Sequence, residues 1–210
     1  KGRKVEPDEV AALERARDVL GADRLLITAP EVAAAPELRN FALLTAKPIL
    51  VLVNVSDAEI GLPGDKALGM FGLPVMGLPT FVCCAKVEEE IADLPPEERQ
   101  EFQDALGIAE PALNMVIREV YGALGLISFL TGGKDEVRAW TIQRGTLAPR
   151  AAGVIHSDIE KGFIRAEVIH YTDFDRLGSE AEARKAGKYR LEGKEYPVGD
   201  GDIINFRFNV

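Results

Sequence analysis

Two continuous apolar runs, at residues 48–54 and 80–84, constrain the fold of this chain more than any other feature of its sequence. Runs of this length without polar alternation are typical of strands buried on both faces of a parallel sheet. The segment between them, residues 61–79, is rich in Gly, Pro and Met and has only a weak helical pattern. A right-handed crossover through it would make the two strands parallel neighbours. We therefore predict an α/β fold for this part of the chain.

Helical patterns flank both strands. Pro7, followed by acidic residues and by apolar residues at helical spacing, predicts a helix over residues 7–20. Pro36 predicts a second helix that ends before Lys47, because a residue that precedes a proline disfavours the helical region. Residues 28–35, between these helices, are expected to form a loop. After the second strand, further helices are predicted to begin at Glu88, Pro96 and Pro111.

The pattern changes near Gly125 to short alternating strands. They are predicted at residues 126–130, 137–142, 162–169 and 203–210, with one helix at 149–155. This order fits a mixed sheet wrapped around a helix, a β-grasp arrangement, and leaves other α+β folds open. Residues 1–124 carry 12 Lys and Arg against 21 Asp and Glu, whereas residues 125–210 carry 13 of each. RNA contact is therefore expected in the neutral second part or in local basic clusters.

Polar residues follow both apolar runs, at the edge of the sheet where open α/β folds bind ligands. The first run ends in Asn-Val-Ser-Asp and the second in Cys-Ala-Lys. The equivalent loops of GTP-binding proteins, N-K-x-D and S-A-K, form the base pocket. There the asparagine ties the loops together, the aspartate accepts hydrogen bonds from guanine, and the alanine N–H meets the ring oxygen. We predict a nucleotide-base site at Asn54, Val55, Asp57, Cys84, Ala85 and Lys86.

The first of these loops also has a purely structural interpretation. Four-residue patterns with two fixed positions occur by chance in many proteins. Asn54 can serve as a turn residue at the end of a strand, and Asp57 can cap the following helix. The second loop, about thirty residues further on and also after a buried run, favours the base site.

Longer segments resemble the YchF, or Obg-like ATPase, family. They are LLTAKPILVLVN at 43–54, AKVE at 85–88, VRAWTI at 137–142, AAGVIHSDIEKGFIRAEV at 151–168 and GDGDIINFRFNV at 199–210. The resemblance implies the carboxy-terminal part of a TRAFAC-class P-loop nucleotide hydrolase of the G type. Residues 1–42 would be the returning part of a helical arm, 43–124 the end of the nucleotide-binding domain, and 125–210 a TGS domain.

The resemblance also implies a nucleotide. Members of the family prefer ATP and carry N-x-x-E in place of N-K-x-D. This chain has Val55 in place of the lysine, as the family pattern leads one to expect, but Asp57 in place of the glutamate. A carboxylate suits the two donors of guanine better than the donor and acceptor of adenine. ATP is therefore the first expectation, and GTP remains open.

Hydrolysis needs a phosphate cradle, a magnesium ligand and a means of orienting water. The sequence contains no G-x-x-x-x-G-K-[ST] motif. We expect a truncated or partly ordered copy of a longer enzyme that does not hydrolyse nucleotide by itself, with no catalytic residue. Mg²⁺ would accompany the nucleotide in the full-length protein, with its ligands outside this chain.

Further candidates point to partners in the second part of the chain. The candidates for RNA or ribosome contact are Arg138, Arg144, His156, Lys161 and Arg165. The structural alternatives, which involve no partner, are that His156 caps a helix end and that the basic residues are exposed to solvent. A TGS-based RNA- or protein-binding module without catalysis is the second functional hypothesis. Two histidines without clustered cysteines predict no metal site, and the absence of a signal peptide or of a membrane-length run predicts a cytoplasmic protein with no membrane or DNA partner.

Overall fold

A parallel pair of strands organises the first part of the chain. The computed structural model describes residues 6–75, 77–133 and 136–209. Strand β1, Val51–Asn54, pairs in parallel with β2, Thr80–Cys83, with Asn54 opposite Cys83. A helix, Gly64–Met70, lies in the crossover between them, and its buried Ala67 and Leu68 pack against Val53 and Val55. The parallel pairing predicted from the apolar runs is confirmed, and the segment with only a weak helical pattern contains this helix.

The chain before β1 differs from its prediction. The first helix, Pro7–Gly21, is present and buries Ala12 and Ala16. The predicted helix after Pro36 is wrong, because the chain forms two short 3₁₀ segments, Pro36–Phe41 and Leu44–Ala46. Ala42 separates them with a φ of 48°, a left-handed conformation that no α-helix continues through. The predicted loop contains one helical turn, Pro30–Ala33, which begins at a proline.

Three helices follow β2, and all three were predicted. Ala85–Asp93 begins three residues earlier than the pattern indicates, whereas Pro96–Ala105 and Ala112–Ala123 begin at or beside their prolines. Val87 and Ile91, one turn apart on the first of these helices, bury their side chains with Cys84. These three residues form the small core that seats this helix.

A five-stranded sheet forms the second part of the chain. Its strands are β3 (Leu126–Gly132), β4 (Val137–Gln143), β5 (Phe163–His170), β6 (Arg190–Glu192) and β7 (Asp202–Phe208). The strand order is β4-β3-β7-β5-β6, and the β3–β7 pair is parallel while the other pairs are antiparallel. The mixed sheet is thus confirmed. The strand predicted at 203–210 corresponds to β7, and its last predicted residue, 210, lies outside the described residues.

Helix Ala148–Ile155 packs on this sheet through three buried alanines, at positions 148, 151 and 152. Their small side chains let the helix approach Phe129 and Phe206, whose rings meet edge to face at 5.9 Å. Trp140 is only half-buried against this core, and its indole N–H donates to Thr131 Oγ1 at 2.9 Å. The remaining helices, which the sequence pattern did not reveal, are Ser157–Lys161, Tyr171–Leu177 and Glu180–Lys185.

Two compact units divide the chain, Lys1–Val120 and Tyr121–Val210. Within the described residues, no helix is both long enough and apolar enough to cross a bilayer.

Candidate functional site

A side-chain hydrogen bond joins the two predicted base loops. Asn54, at the end of β1, accepts the backbone N–H of Ala85 through its side-chain Oδ1 at 2.9 Å. The parallel register brings the loops side by side, since the N–H of Val55 also donates to the Cys83 carbonyl at 2.9 Å. Residues 31 positions apart in sequence therefore form one edge. The asparagine ties the two loops together, as its sequence position predicts.

Helix Ala85–Asp93 presents its amino terminus at this edge. The first N–H groups of a helix have no acceptors within the helix. The Ala85 N–H, predicted to meet a ring oxygen of the base, is already engaged by Asn54. The N–H of Lys86 is the next donor in the same turn. Its ammonium group lies 3.7 Å from Glu90 in an exposed ion pair and so points along the helix surface.

Two of the six predicted residues lie beneath the edge rather than on it. Val55 is 8% exposed and packs with Val53 and Leu68, so its side chain does not face the loops. Cys84 is 5% exposed and packs with Val87. Both residues contribute backbone and core packing. Asn54, Asp57, Ala85 and Lys86 remain as the exposed members of the site.

A one-turn 3₁₀ helix, Asp57–Glu59, carries the predicted base-reading carboxylate. Its N-cap is Ser56 and not Asp57, so the structural alternative for Asp57 is wrong. One oxygen of Asp57, Oδ1, accepts the Ala58 N–H at 2.9 Å. Glu59 Oε2 accepts both the N–H and the hydroxyl of Ser56, at 2.9 and 2.8 Å. Glu59 was missed in the sequence, although S-x-x-E is the signature of a capping box.

A cavity of about 280 Å³ lies beside β2, and of the six predicted base residues it contacts Cys84 alone. Cys83 and Glu88 also line it. Burial, and then the nearby charge of Glu88, raise the pKa of the Cys83 thiol above its usual range. Both cysteines are free. A raised pKa keeps the Cys83 thiol protonated and unreactive, as expected for a structural cysteine.

The five candidates for RNA contact are not brought into one cluster. Arg138 lies near the beginning of β4, which is an edge strand, and Arg144 follows its last residue. The Arg138 guanidinium stacks over the Trp140 ring at 4.1 Å. His156 is the N-cap of helix Ser157–Lys161, where its Nδ1 accepts the Asp158 N–H at 3.2 Å. Lys161 ends that same helix. Arg165 lies on β5, two strands away from β3.

Arg165 has a cationic neighbour that the sequence could not reveal. It stands directly opposite Arg207 of β7, so both side chains share one face of the sheet. Arg207 donates to Glu167 at 3.1 Å, and Asn205 donates to the same carboxylate at 3.1 Å. Burial would raise the pKa of Glu167, but the bonds and charges of Arg207, Asn205 and Arg184 hold it below the usual range. Arg165 makes no ion pair within the described part of the chain.

Comparison with known proteins finds relatives of this chain. The family model YchF-GTPase_C, described as a protein of unknown function (DUF933), matches residues 126–209. The ribosome-binding ATPase YchF of Bacillus subtilis is 49% identical over 175 residues, which are 82% of this chain and 48% of that protein. The protein of the same name from Escherichia coli O157:H7 is 44% identical over 214 residues, covering 100% of this chain and 58% of its own length.

A solved structure agrees with the sequence relatives. The YchF GTPase of Schizosaccharomyces pombe superposes with a TM-score of 0.79 at 32% identity, over 98% of this chain and 58% of that one. The chain spans about half the length of the curated relatives it matches. The similarity therefore extends over both units of this chain.

Proposed function

Since the chain belongs to the YchF family and matches its carboxy-terminal part, we propose that it supplies the base-reading edge of a ribosome-associated ATPase. The observation that carries this proposal is the hydrogen bond from the Ala85 N–H to Asn54 Oδ1, because it fixes two loops on neighbouring strands into one edge. An edge held in this way presents polar groups before a ligand arrives, which lowers the entropy lost on binding.

The base would meet a carboxylate and a helix N–H at this edge. Asp57 keeps Oδ2 available, while its Oδ1 is occupied by Ala58. Lys86 offers the backbone N–H that Ala85 no longer provides. ATP is the preferred nucleotide in this proposal, in keeping with the names of the relatives, and GTP is the competitor that Asp57 makes relevant.

The five-stranded sheet would be the TGS domain of that enzyme. If its five strands are numbered along the chain, their order across the sheet is second, first, fifth, third, fourth. A helix between the second and third strands covers one face, which is a β-grasp arrangement. We keep residues 1–42, 43–124 and 125–210 as the proposed arm, nucleotide-binding and TGS segments, and a cytoplasmic location as the proposed setting.

Hydrolysis and Mg²⁺ enter the proposal only through the whole enzyme. Within the described residues, no group of three or more His, Cys, Asp or Glu side chains could hold a metal ion. Because the sequence contains no phosphate-loop motif, the proposal assigns the Mg²⁺ ligands and the catalytic residues to the rest of the enzyme. Phosphate release from ATP should be indistinguishable from the buffer rate when the chain is assayed alone.

A nucleotide titration tests the base-reading edge directly. With ATP or GTP added to the 210-residue chain, amide resonances of Asn54, Asp57 and Lys86 should shift together in a saturable manner. Asn54→Ala should abolish the response. Asn205→Ala is the matched control, because it also removes an exposed amide that makes one hydrogen bond, but in the five-stranded sheet. Resonances that stay unmoved up to millimolar nucleotide would refute base reading by this chain.

RNA binding by the second unit is the alternative function, and one observation favours it. Arg165 is exposed and stands directly opposite Arg207, and two like charges placed in this way repel each other unless an anion lies near them. Arg165→Glu should then weaken binding of a single-stranded RNA by roughly tenfold and reduce the slope of affinity against salt. An equal loss with Lys194→Glu, on a loop, would indicate unspecific attraction instead.

A further inference from the structure

Ser56 and Glu59 form a closed pair around the base-reading carboxylate. Glu59 Oε2 accepts the Ser56 N–H at 2.9 Å and the Ser56 hydroxyl at 2.8 Å. Asp57 lies between the two residues and is the first residue of the helical turn that they cap. Both ends of the segment that carries Asp57 are therefore tied to each other by the same carboxylate oxygen.

This arrangement is unusual for the element that it stabilises. A capping box normally satisfies the free N–H groups of a helix that continues for several turns. Here the helical element is three residues long, and the chain reaches Gly61, with a φ of 85°, two residues after it. The next helix, Gly64–Met70, begins beyond Gly61 and has Pro63 as its own N-cap, so it gains nothing from this cap. The Ser56–Glu59 bonds therefore stabilise the conformation of the loop itself.

The loop conformation in turn sets the Asp57 side chain. The Ala58 N–H, which belongs to the capped turn, donates to Asp57 Oδ1 at 2.9 Å. Within the described part of the chain, Oδ2 is then the oxygen without a donor, and the Oδ1 bond restricts the direction in which it faces. If the turn opened, the Ala58 N–H would move and the carboxylate would rotate freely between its rotamers.

We infer that Ser56 and Glu59 are positioning residues for nucleotide selection, acting through Asp57 and making no contact with the base themselves. The inference rests on the proposed function. Guanine offers two donors along its edge, whereas adenine offers one donor beside an acceptor. A carboxylate held in one orientation places Oδ2 and the second lone pair of Oδ1 where two adjacent donors can meet them, whereas a rotating carboxylate accommodates either edge. The Ser56–Glu59 pair thus controls the ratio of ATP to GTP affinity.

Two substitutions at position 59 separate this role from simple folding. Glu59→Ala removes both bonds to Ser56, and the ATP to GTP affinity ratio of the chain should move towards one by about tenfold, as expected when an orienting contact is lost. Glu59→Gln keeps an oxygen acceptor of the same reach, as capping boxes permit, and should retain the ratio within about twofold. Ser56→Ala should give an intermediate change, since the Ser56 N–H remains.

The experiment titrates ATP and GTP separately into the chain and its variants and follows the Asp57 and Lys86 amide resonances. Ser179→Ala is the matched control, because Ser179 also caps a short helix, Glu180–Lys185, in the other unit. The thermal unfolding midpoint checks that each variant is folded. A changed ratio in Glu59→Ala with the parental ratio in Glu59→Gln supports the inference.

Three results overturn it, and they are distinguishable from one another. If Glu59→Ala keeps the parental ratio, the turn does not position Asp57, and the base site itself stands. If Glu59→Gln loses selectivity as fully as Glu59→Ala, the charge of Glu59 and not its bonds to Ser56 is responsible. If the parental chain binds neither nucleotide, the proposed function fails and the positioning role fails with it.

Discussion

The two sheets of this protein differ in how much core supports them. The five-stranded sheet packs twelve buried residues into one cluster, centred on Phe129 and Phe206. Among the described residues of the first unit, the buried apolar side chains fall into clusters of seven, four and three. A divided core removes less apolar surface from water around any one element. We conclude that the five-stranded sheet carries its own stability, whereas the β1–β2 edge depends on many small contacts.

The polar groups of the two sheets differ in the same sense. Asp202, 1% exposed, is enclosed by donors: the Tyr196 hydroxyl at 2.6 Å and the Gly199 N–H at 2.8 Å. Asn54 and Asp57 are exposed, and among the described residues the Asn54 amide NH₂ and the Asp57 Oδ2 have no partner. A satisfied buried carboxylate fixes a structure, while an exposed one with a free oxygen can meet a ligand. Polar residues therefore hold the second unit together and make the edge of the first available.

The largest test of this contrast is a cavity in the larger core. Phe129→Ala, at a side chain with no exposure and an edge-to-face contact to Phe206, should lower the free energy of unfolding by about 3 to 5 kcal/mol. Val53→Ala in the first unit should lower it by less, because fewer atoms are removed from a smaller cluster. Urea unfolding of both variants provides the measurement. An equal loss would contradict the difference between the cores.

The buried carboxylate gives the next largest effect. Asp202→Asn exchanges a charged acceptor for an amide and should cost about 1 to 3 kcal/mol in urea unfolding. Asp202→Glu, which keeps the charge but lengthens the side chain, shows whether geometry or charge dominates. Full stability in the asparagine variant would mean that the bonds from Tyr196 and Gly199 contribute nothing net.

The same network predicts a dependence on high pH. Burial, and then the hydrogen bond to Asp202, raise the pKa of Tyr196 to about 12 from a usual value of 10.0. A raised pKa favours the protonated phenol in the folded state, so its stabilisation is complete below pH 10 and is lost as the pH rises towards 12. Ultraviolet absorbance of tyrosinate, compared between the parent and Tyr196→Phe, should show a late-titrating group. Its absence would remove this account of the network.

A smaller effect is expected at the edge of the first unit. Asn54→Ala breaks an exposed hydrogen bond, so the free energy of unfolding should fall by about 1 kcal/mol. Hydrogen exchange of the Ala85 amide should accelerate, because that N–H loses its acceptor. Asn54→Asp retains the acceptor oxygen and should protect the amide. A slow Ala85 amide in the alanine variant would show that the loops are held by something else.

The smallest effect belongs to the surface pair beside that edge. Lys86→Ala removes an ion pair with Glu90 whose partners are both well exposed, so stability should change by less than about 0.5 kcal/mol. Glu90→Ala is the reciprocal control. A large loss in either variant would show that charge stabilises this edge and that the contrast between the two sheets is overstated.

The part of the base site that depends on the two apolar runs could be predicted from the sequence. Asn54 and Ala85 could be placed together because the two apolar runs predict parallel neighbouring strands, whose carboxyl ends meet at one edge. The burial of Val55 was missed, since a motif names positions and does not say which side of the backbone each side chain takes. Arg207 was missed because its relation to Arg165 depends on strands 42 positions apart in sequence being paired.

By itself, the sequence determined the parallel pair, five of the ten α-helices among the described residues, the mixed sheet and the family, because these depend on periodicity and on long matching segments. Only the tertiary structure decided that Asn54 takes the Ala85 N–H and that the predicted arginines and His156 are spread over the second unit. The Ser56–Glu59 pair depends on both sequence and tertiary structure: the S-x-x-E spacing is visible in the sequence, but the bonds are seen only in the structure. Its purpose appears only once the turn is seen to be three residues long, because the bonds can then stabilise little besides the loop that carries Asp57.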